Sequence, residues 1–356
     1  MDDASCRGCG GPTEPAFVAQ ERWTGIEGRF EYLRCRACGA LQIARIPAGL
    51  ERFYGPDYYP RRQRVPHGRG GGWLGWRRTW TRFALGAGRA GRLLAGRRFA
   101  RLDWMRRTRT GVDAPILDAG CGSGRLLWRL HRAGFRDLTG VDAFVEPSAP
   151  GAAVGVGTAP AAAPRREGPR FLRASFEEHH GTYQLVMAHH SFEHAPDPRR
   201  AFRALAALVR PGGWLLLRVP LADGIVARHY GVDWVQLDAP RHLFLPTRET
   251  IARLAKDAGL RLAAVVDDSG PFQIWGSEVL RRGQPLATAG RGGRRVLGVT
   301  ERLRARWRAR ALRRAGRGDQ ACFYLERVDD APGTPAPVAD APPARRRAAE
   351  RTHDVT

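Results

Sequence analysis

Short apolar runs alternate with segments of helical periodicity between Pro115 and Ser269. Runs rich in Leu, Val and Ile are typical of strands buried on both faces of a sheet. Their alternation with helices predicts an α/β fold, with a mostly parallel sheet covered by helices on both faces. The seven predicted strands begin at Pro115, Leu138, Arg170, Tyr183, Gly213, Leu260 and Cys322.

Residue types at the ends of the periodic segments predict where helices stop and start. Gly134 closes the first predicted helix, Pro211 and Gly212 end the second, and Thr247 caps the third. Residues 147–169 are rich in Ala, Gly and Pro and predict a loop.

Composition divides the rest of the chain into further segments. Residues 1–60 form a cysteine-bearing head, and residues 61–112 form a basic segment rich in Arg and Trp. The α/β domain covers residues 113–328 and carries a basic insert at 281–318. Residues 329–356 are of low complexity, which predicts a disordered tail.

The net charge of +24 is concentrated in the two basic segments. Residues 61–111 hold 15 Arg and one acid, and residues 281–318 hold 13 Arg and one acid. These segments carry +14 and +12, so the remainder of the chain carries −2. The positive charge is therefore confined to two segments, and the remainder of the chain, which includes most of the predicted α/β domain, is close to neutral.

Apolar residues recur at three- and four-residue steps inside both basic segments, which predicts amphipathic helices. Such a helix has three possible partners: the protein's own core, an acidic membrane surface or RNA. No run of eighteen apolar residues occurs and the N-terminus is acidic and polar, so we expect a cytoplasmic protein, with membrane association left open. The apolar positions are Trp73, Trp76, Trp80, Phe83 and Ala87, and Val296, Val299, Leu303, Trp307 and Leu312.

A glycine loop follows the first predicted strand, in the stretch PILDAGCGSGRLL. Arg125 and Leu126 follow the last glycine, where a P-loop needs Lys and Ser or Thr. The spacing also departs from the dinucleotide pattern G-x-G-x-x-G. Because Asp118 stands before the glycines, the loop suits a ligand with an ammonium group better than a pyrophosphate.

This arrangement resembles motif I of the class I S-adenosylmethionine-dependent methyltransferases, whose fold is Rossmann-like. The resemblance implies that S-adenosylmethionine is the cofactor and that the acid before the loop lies near its amino group. Asp142 ends the second predicted strand, where an acid can accept both ribose hydroxyls. The residues carried over as cofactor contacts are Asp118, Gly120, Cys121, Gly122, Gly124 and Asp142, with Ser175 and Phe176 as neighbours of the adenine. We interpret the Cys121 side chain itself, and Cys322, as packing residues.

Histidines cluster after the fourth predicted strand, in the stretch MAHHSFEHAPDP. Ligands of open α/β sheets bind at this end of the strands. Histidine titrates near neutrality and can take a proton from a hydroxyl or an activated carbon. His190 is the first candidate base, followed by His189 and by His242 of a later loop. For His194 we favour a packing role under the cofactor.

The end of that stretch resembles the EH-x-x-DP of methyltransferases that act on small molecules. Two further stretches, 229–247 and 268–278, are interpreted as loops beside an acceptor pocket. In the first, Trp234, Asp238, Arg241 and His242 either line the pocket or belong to a structural lid whose tyrosine and tryptophan lie in the core. Together these stretches resemble bacterial zinc-ribbon methyltransferases whose layout is similar to that of enzymes acting on nucleotide-linked sugars. The expected reaction is methyl transfer to an O, N or C atom of a small molecule, such as a sugar or a polysaccharide precursor.

Two other functions stay open at this point. One is an RNA methyltransferase that uses the head and the basic segments. Against it, the chain lacks the Asp/Asn-Pro-Pro-aromatic motif and the Pro-Cys nucleophile of nucleic-acid methylases. The other is a non-catalytic scaffold that recruits partners through the head.

The head supplies two C-x2-C pairs separated by 25 residues, namely Cys6 with Cys9 and Cys35 with Cys38. Gly10 and Gly39 follow the second cysteine of each pair, where a positive φ lets backbone N–H groups face sulfur. In a cytosolic chain this pattern predicts a structural zinc site, with disulfides as the alternative. Four thiolates leave no open coordination position, so this metal would not be catalytic.

Overall fold

The computed structural model describes residues 5–55, 80–81, 85, 102–143, 154–156 and 168–328. The strands are β1 (Thr13–Gln20), β2 (Arg29–Cys35), β3 (Leu41–Ile43), β4 (Ile116–Ala119), β5 (Leu138–Val141), β6 (Val154–Val156), β7 (Arg170–Arg173), β8 (Tyr183–His189), β9 (Val209–Pro220), β10 (Phe244–Leu245), β11 (Arg261–Asp267) and β12 (Gln320–Glu326). The α-helices are α1 (Leu102–Arg107), α2 (Arg125–Arg132), α3 (Pro198–Ala207), α4 (Ile225–Tyr230), α5 (Arg248–Asp257), α6 (Pro271–Arg281) and α7 (Val299–Arg314).

The large sheet has the order β11-β12-β9-β8-β4-β5-β7-β6. Its strands are parallel except β12, which runs antiparallel to both β9 and β11. The predicted α/β fold and all seven predicted strands are therefore confirmed. An eighth strand, β6, adds to the edge beside β7 within residues 147–169, so the prediction of a loop throughout that segment was wrong.

Successive side chains of the central strands enter two different cores, because strand side chains alternate between faces. Leu117, Val186 and Leu215 pack with α3 and α5 on one face. Their sequence neighbours Ile116 and Leu185 pack with α1 and α2 on the other. The sheet is thus covered on both sides, as the apolar runs predict.

Helix α3 starts where the sequence carries an N-cap signal. The Asp197 carboxylate accepts hydrogen bonds from the N–H groups of Arg199 and Arg200, and Pro198 occupies the first turn. The helix ends at Ala207 and β9 begins at Val209, so the expectation that Pro211 and Gly212 end it was wrong. Those two residues lie inside β9, where its register with β8 shifts.

The head does not stand apart from the α/β domain. Its strands form a small antiparallel sheet of order β1-β2-β3-β10, and β10 belongs to the chain that follows β9. Behind this sheet, Tyr32, Ile43 and Phe53 share a core with Trp234 and with α4 and α6. Most of the predicted basic segment 61–112 and the tail 329–356 lie outside the described residues. In the described part of the chain, no helix combines the length and the apolar character needed to cross a membrane.

The fully buried guanidinium of Arg241 joins the head to the α/β domain. Its Nη2 donates to Glu21 at 2.8 Å and to Asp238 at 2.6 Å, and its Nη1 donates to the carbonyl of Phe53 at 2.9 Å. The Glu21 carboxylate also accepts hydrogen bonds from four backbone N–H groups at the tip of the β1–β2 hairpin, those of residues 23–26. The Arg241 cluster therefore connects three chain segments that are distant in sequence.

We expect Arg241→Met to destabilise the protein by about 3–5 kcal/mol, because two buried carboxylates lose their counter-charge. Arg253→Met is the matched control, since Arg253 forms an exposed pair with Glu249 within one helix. Chemical denaturation should show a lower midpoint for the first variant and an unchanged midpoint for the second. Equal stability of Arg241→Met and wild type would contradict the junction's importance.

Candidate active site at the carboxyl ends of β4 and β8

The predicted glycine loop lies between β4 and α2. Gly120, Gly122 and Gly124 all have positive φ, at 75°, 52° and 69°. A Cβ on Gly120 would lie 2.3 Å from Cβ of Ser191, and one on Gly124 would lie 2.2 Å from the Phe171 ring. Both positions require glycine for the close packing of the loop against β7 and the residues after β8.

Gly122 differs because a Cβ there would meet nothing within 4 Å. Its N–H donates to Oδ2 of Asp142 at 2.8 Å, which holds the end of β5 against the loop. The sequence therefore keeps an open, bare stretch of backbone beside a carboxylate. Such a cradle fits a ligand that approaches the main chain closely.

Asp118 is buried directly beneath the loop, with 3% of its surface exposed. Burial raises the pKa of its carboxyl to about 7, and the negative charge of Asp142 contributes to the rise. No hydrogen bond from the described residues compensates this carboxylate. Two adjacent acids at an open cradle favour a cationic ligand, so the residues fit the ammonium and sulfonium groups of S-adenosylmethionine.

The other predicted cofactor neighbours lie at adjoining positions. The Cys121 thiol packs under the loop, 2.8 Å from the point where a Cβ on Gly140 would stand. Ser175 and Phe176 follow β7, the strand next to β5, and the Ser175 N–H donates to Glu178 at 3.2 Å. These residues share the sheet edge with Asp142, as the strand order predicts.

His190 lies next to the glycine loop and is held in an unusual backbone conformation. Its φ is 53°, a left-handed value that costs free energy for a residue with a Cβ. Its N–H donates to the carbonyl of Arg218 at 2.9 Å, and the next residue, Ser191, donates from Oγ to the carbonyl of Ala119 at 2.8 Å. The strained turn thus brings His190 to the end of β4.

The carboxylate of Glu193 orients this histidine. Nδ1 of His190 lies 3.1 Å from Oε1 of Glu193, whose side chain is completely buried. Burial alone would raise the pKa of Glu193, but the hydrogen bond and charge of His190, with His242 and His194, outweigh it and bring the pKa to about 2. An ionised carboxylate accepts only, so Nδ1 carries the proton and Nε2 of His190 is left as the proton acceptor.

His189 and His242 occupy different surroundings. The His189 ring stacks on Trp104 of α1, with the ring centroids 4.6 Å apart. His242 is buried: its Nδ1 lies 2.7 Å from the carbonyl of Gln236, and its Nε2 lies 3.9 Å from Oε1 of Glu193. The structure therefore brings His190 and His242 to one carboxylate and leaves His189 outside that cluster.

His194 makes the backbone contact expected for a packing residue. Its Nδ1 lies 2.9 Å from the carbonyl of Arg241 and 3.1 Å from the hydroxyl of Tyr54. Ligand atoms of Glu193, His194 and His242 also lie within 4.8 Å of one another, so this group could hold a metal ion. Sequence reasoning missed Glu193, Ser191 and Tyr54; the i, i+3 spacing of His190 and Glu193 was the available signal for the first.

The stretches interpreted as acceptor loops turn out to be largely core. Trp234 and Arg241 are 1% and 0% exposed, and the indole of Trp234 donates to Asp319 at 2.6 Å. Residues 271–281 form helix α6, so the prediction of a loop over 268–278 was wrong. The burial of Tyr230 and Trp234 agrees with the alternative in which a tyrosine and a tryptophan of this stretch lie in the core.

Four thiols meet in the head. Cys6 and Cys38 have sulfurs 3.8 Å apart, those of Cys9 and Cys35 are 3.5 Å apart, and all four lie within 4.8 Å of one another. Gly10 and Gly39 have φ of 78° and 72°, as the sequence predicts. A tetrahedral zinc with bonds of about 2.3 Å requires sulfurs about 3.8 Å apart, so the geometry suits that ion. All six cysteines are free thiols, so the structure contains no disulfide of the kind that the sequence leaves as an alternative.

Comparison with known proteins identifies relatives of the α/β domain. A family model described as a methyltransferase domain matches residues 91–265. Ubiquinone biosynthesis O-methyltransferase of Bordetella avium (strain 197N) is 36% identical over 176 residues, covering 45% of this chain and 68% of the relative. The enzyme of the same name from Aeromonas salmonicida (strain A449) is 32% identical over 171 residues, with the same two coverages.

Solved structures with a matching arrangement have low sequence identity. The magnesium protoporphyrin IX methyltransferase of Synechocystis PCC 6803, solved with bound SAH, is 13% identical, with a TM-score of 0.37. The match covers 78% of this chain and 92% of that one.

We expect Asp118→Asn to stabilise the folded protein at alkaline pH. The pKa of Asp118 in the folded protein, about 7, lies above the ordinary value of 3.8. The stability of the wild type is therefore greatest below pH 3.8 and falls as the pH rises from there to about 7. The variant escapes this loss and should be more stable at about pH 8 by up to about 4 kcal/mol, with a smaller gap at about pH 5.

Denaturant unfolding across this pH range measures the difference. Asp257→Asn is the control, because Asp257 is exposed on α5. Parallel pH profiles for wild type and Asp118→Asn would show that the buried carboxylate carries no such penalty.

Proposed function

Because the chain belongs to the S-adenosylmethionine-dependent methyltransferases, we propose that it methylates a hydroxyl oxygen of a small-molecule acceptor. The observation that carries the proposal is the His190–Glu193 pair, placed beside the glycine loop by the contact between Ser191 and Ala119. An oxygen acceptor needs a base to remove its proton, and this pair supplies one. The relatives from Bordetella and Aeromonas are named as O-methyltransferases, which agrees with this choice.

Cofactor binding is assigned to the residues at the ends of β4 and β5. Bound S-adenosylmethionine supplies an activated methyl group on a positively charged sulfur. Asp118 lies where it can stabilise that ligand's positive charge, Gly122 offers bare backbone, and Asp142 offers a carboxylate for the ribose. Ser175 and Phe176 are assigned to the adenine side.

Proton removal is assigned to Nε2 of His190. The acceptor oxygen would take the methyl carbon as its bond to the sulfonium sulfur breaks and leaves a neutral thioether. The hydroxyl proton would pass to Nε2 of His190, and the imidazole would become positively charged. The ionised Glu193, 3.1 Å from Nδ1, stabilises that charge and fixes the tautomer. His242 lies behind Glu193 and supports the carboxylate, so it is a positioning residue and not a second base.

For the acceptor we propose a sugar or sugar nucleotide, because the stretches 229–247 and 268–278, although largely core, resemble in sequence those of enzymes whose layout is similar to that of enzymes acting on such compounds. The test incubates the purified full chain with labelled S-adenosylmethionine and three acceptor groups: nucleotide sugars, catechols and RNA. Methyl ether formation on a sugar hydroxyl is the expected product, identified by NMR. Label on RNA alone, or on nitrogen or carbon, would overturn the proposal.

His190→Ala should lower kcat by about 10²–10⁴-fold, since it removes the base. Glu193→Gln should also lower kcat, because the amide does not stabilise the imidazolium, and it should change the acidic limb of the pH profile. His180→Ala is the control, because His180 is exposed and outside the cluster. Full turnover of His190→Ala with an unchanged pH profile would remove the base from the mechanism.

We further propose that the four cysteines of the head bind one structural zinc ion. Elemental analysis of the purified protein should find one zinc per chain, and Cys38→Ser should lose most of it. Cys322→Ala is the control, since Cys322 is buried in the large sheet away from the head. A chelator should lower the melting temperature of the wild type; a metal-free protein with unchanged melting would refute the site.

A further inference from the structure

Among the residues that the structure describes, helix α7 packs on the rest of the protein through one narrow face. Ala305 and Ala309 are each 3% exposed and belong to the core shared by α6 and the head. Leu312 is partly buried against the same core. Small residues at the contact let α7 lie close to α6, and the opposite face is left in solvent.

A line of large apolar side chains runs along that outer face. Val299, Leu303 and Trp307 are 63%, 44% and 71% exposed. Their i, i+4, i+8 spacing places them in one row, because four residues make just over one helical turn. Of the three partners that the sequence leaves open for these positions, the protein's own core therefore does not hold for Val299, Leu303 and Trp307, since alanines make that contact.

Arginines surround this row. The helix carries seven, namely Arg302, Arg304, Arg306, Arg308, Arg310, Arg313 and Arg314. Its one acid, Glu301, pairs with Arg282 and caps the Gly298 N–H, so it does not neutralise the outer face. Within residues 168–328 no carboxylate forms an ion pair with any of the seven.

We propose that the outer face of α7 docks on an anionic lipid bilayer. An amphipathic helix with Trp and Leu between arginines places its apolar row at the acyl boundary and its guanidinium groups among the phosphates. A second copy of the chain is a poor partner, because two such faces would bring like charges together. RNA would satisfy the arginines, but Val299 and Leu303 provide no flat ring on which a base could stack.

The test uses the full chain and vesicles of phosphatidylcholine, with or without phosphatidylglycerol, in a flotation assay. Wild type should bind the mixed vesicles and not the neutral ones, and salt should weaken binding. The double variant Leu303→Glu/Trp307→Glu should bind at least tenfold more weakly. Ile46→Glu/Val232→Glu is the matched control, because Ile46 and Val232 are exposed apolar residues elsewhere on the surface.

A second pair of variants separates charge from the apolar row. Arg306→Gln/Arg310→Gln should weaken vesicle binding at least fivefold, and Arg29→Gln/Arg36→Gln should not. Thermal unfolding of every variant should match the wild type, because none of the altered side chains lies in the core. The methyltransferase reaction is scored separately and bears on the other proposal only.

Three outcomes would overturn the docking surface. Undiminished vesicle binding by Leu303→Glu/Trp307→Glu would assign lipid binding to another segment. Wild-type binding to polyuridylate but not to anionic vesicles would identify the partner as RNA. A wild-type dimer in light scattering that the same double variant dissociates would identify the partner as a second copy.

Discussion

The buried ion cluster of Arg241 is the interaction on which the position of the histidine turn after β8 depends. Its guanidinium is enclosed by Asp238, Glu21 and the carbonyl of Phe53, three partners from separate loops. Its own carbonyl lies within 2.9 Å of Nδ1 of His194 and 3.5 Å of the Tyr54 hydroxyl. A charge fully removed from water tolerates few geometries, because every donor must keep a partner. The ion cluster therefore fixes the positions of the head, the loop before β10 and the histidine turn after β8 relative to one another.

Two buried carboxylates divide the chemistry of the site. Asp118 and Glu193 stand at the ends of the neighbouring strands β4 and β8, and both are almost without solvent contact. Burial and the charge of Asp142 raise the pKa of Asp118, whereas the three histidines around Glu193 overcome burial and lower its pKa. The two pKa values differ because the carboxyl groups have different charged neighbours, since both are buried to a similar degree. Among the described residues no cationic side chain lowers the pKa of Asp118, whereas imidazoles surround Glu193.

Local sequence signals predicted the elements that depend on local physics. The apolar runs, the glycine loop and the Thr247 cap follow from residue types within a few positions of one another, and each is present. The misses required knowledge of what packs where. Strand β6 forms beside β7 in a segment of weak strand propensity, and α6 was hidden by its glycine and proline. The contact between His190 and Glu193 spans only three residues. Its effect on the pKa of Glu193 depends on the burial of that carboxyl, which no single sequence position reveals.

The head reaches the proposed base through backbone hydrogen bonds. The N–H of Ile43, at the end of β3, donates to the carbonyl of Leu243, and the N–H of Leu243 donates to the carbonyl of Glu193 at 2.8 Å. On the other side of β10, the hydroxyl of Thr247 donates to the carbonyl of Cys38 at 2.7 Å while capping α5. A movement of the cysteine loops would be passed to the carboxylate that orients His190, because both contacts are short and buried. Two hydrogen bonds beside β10 thus connect the four-thiol cluster of the head to the backbone of Glu193 and to the start of α5.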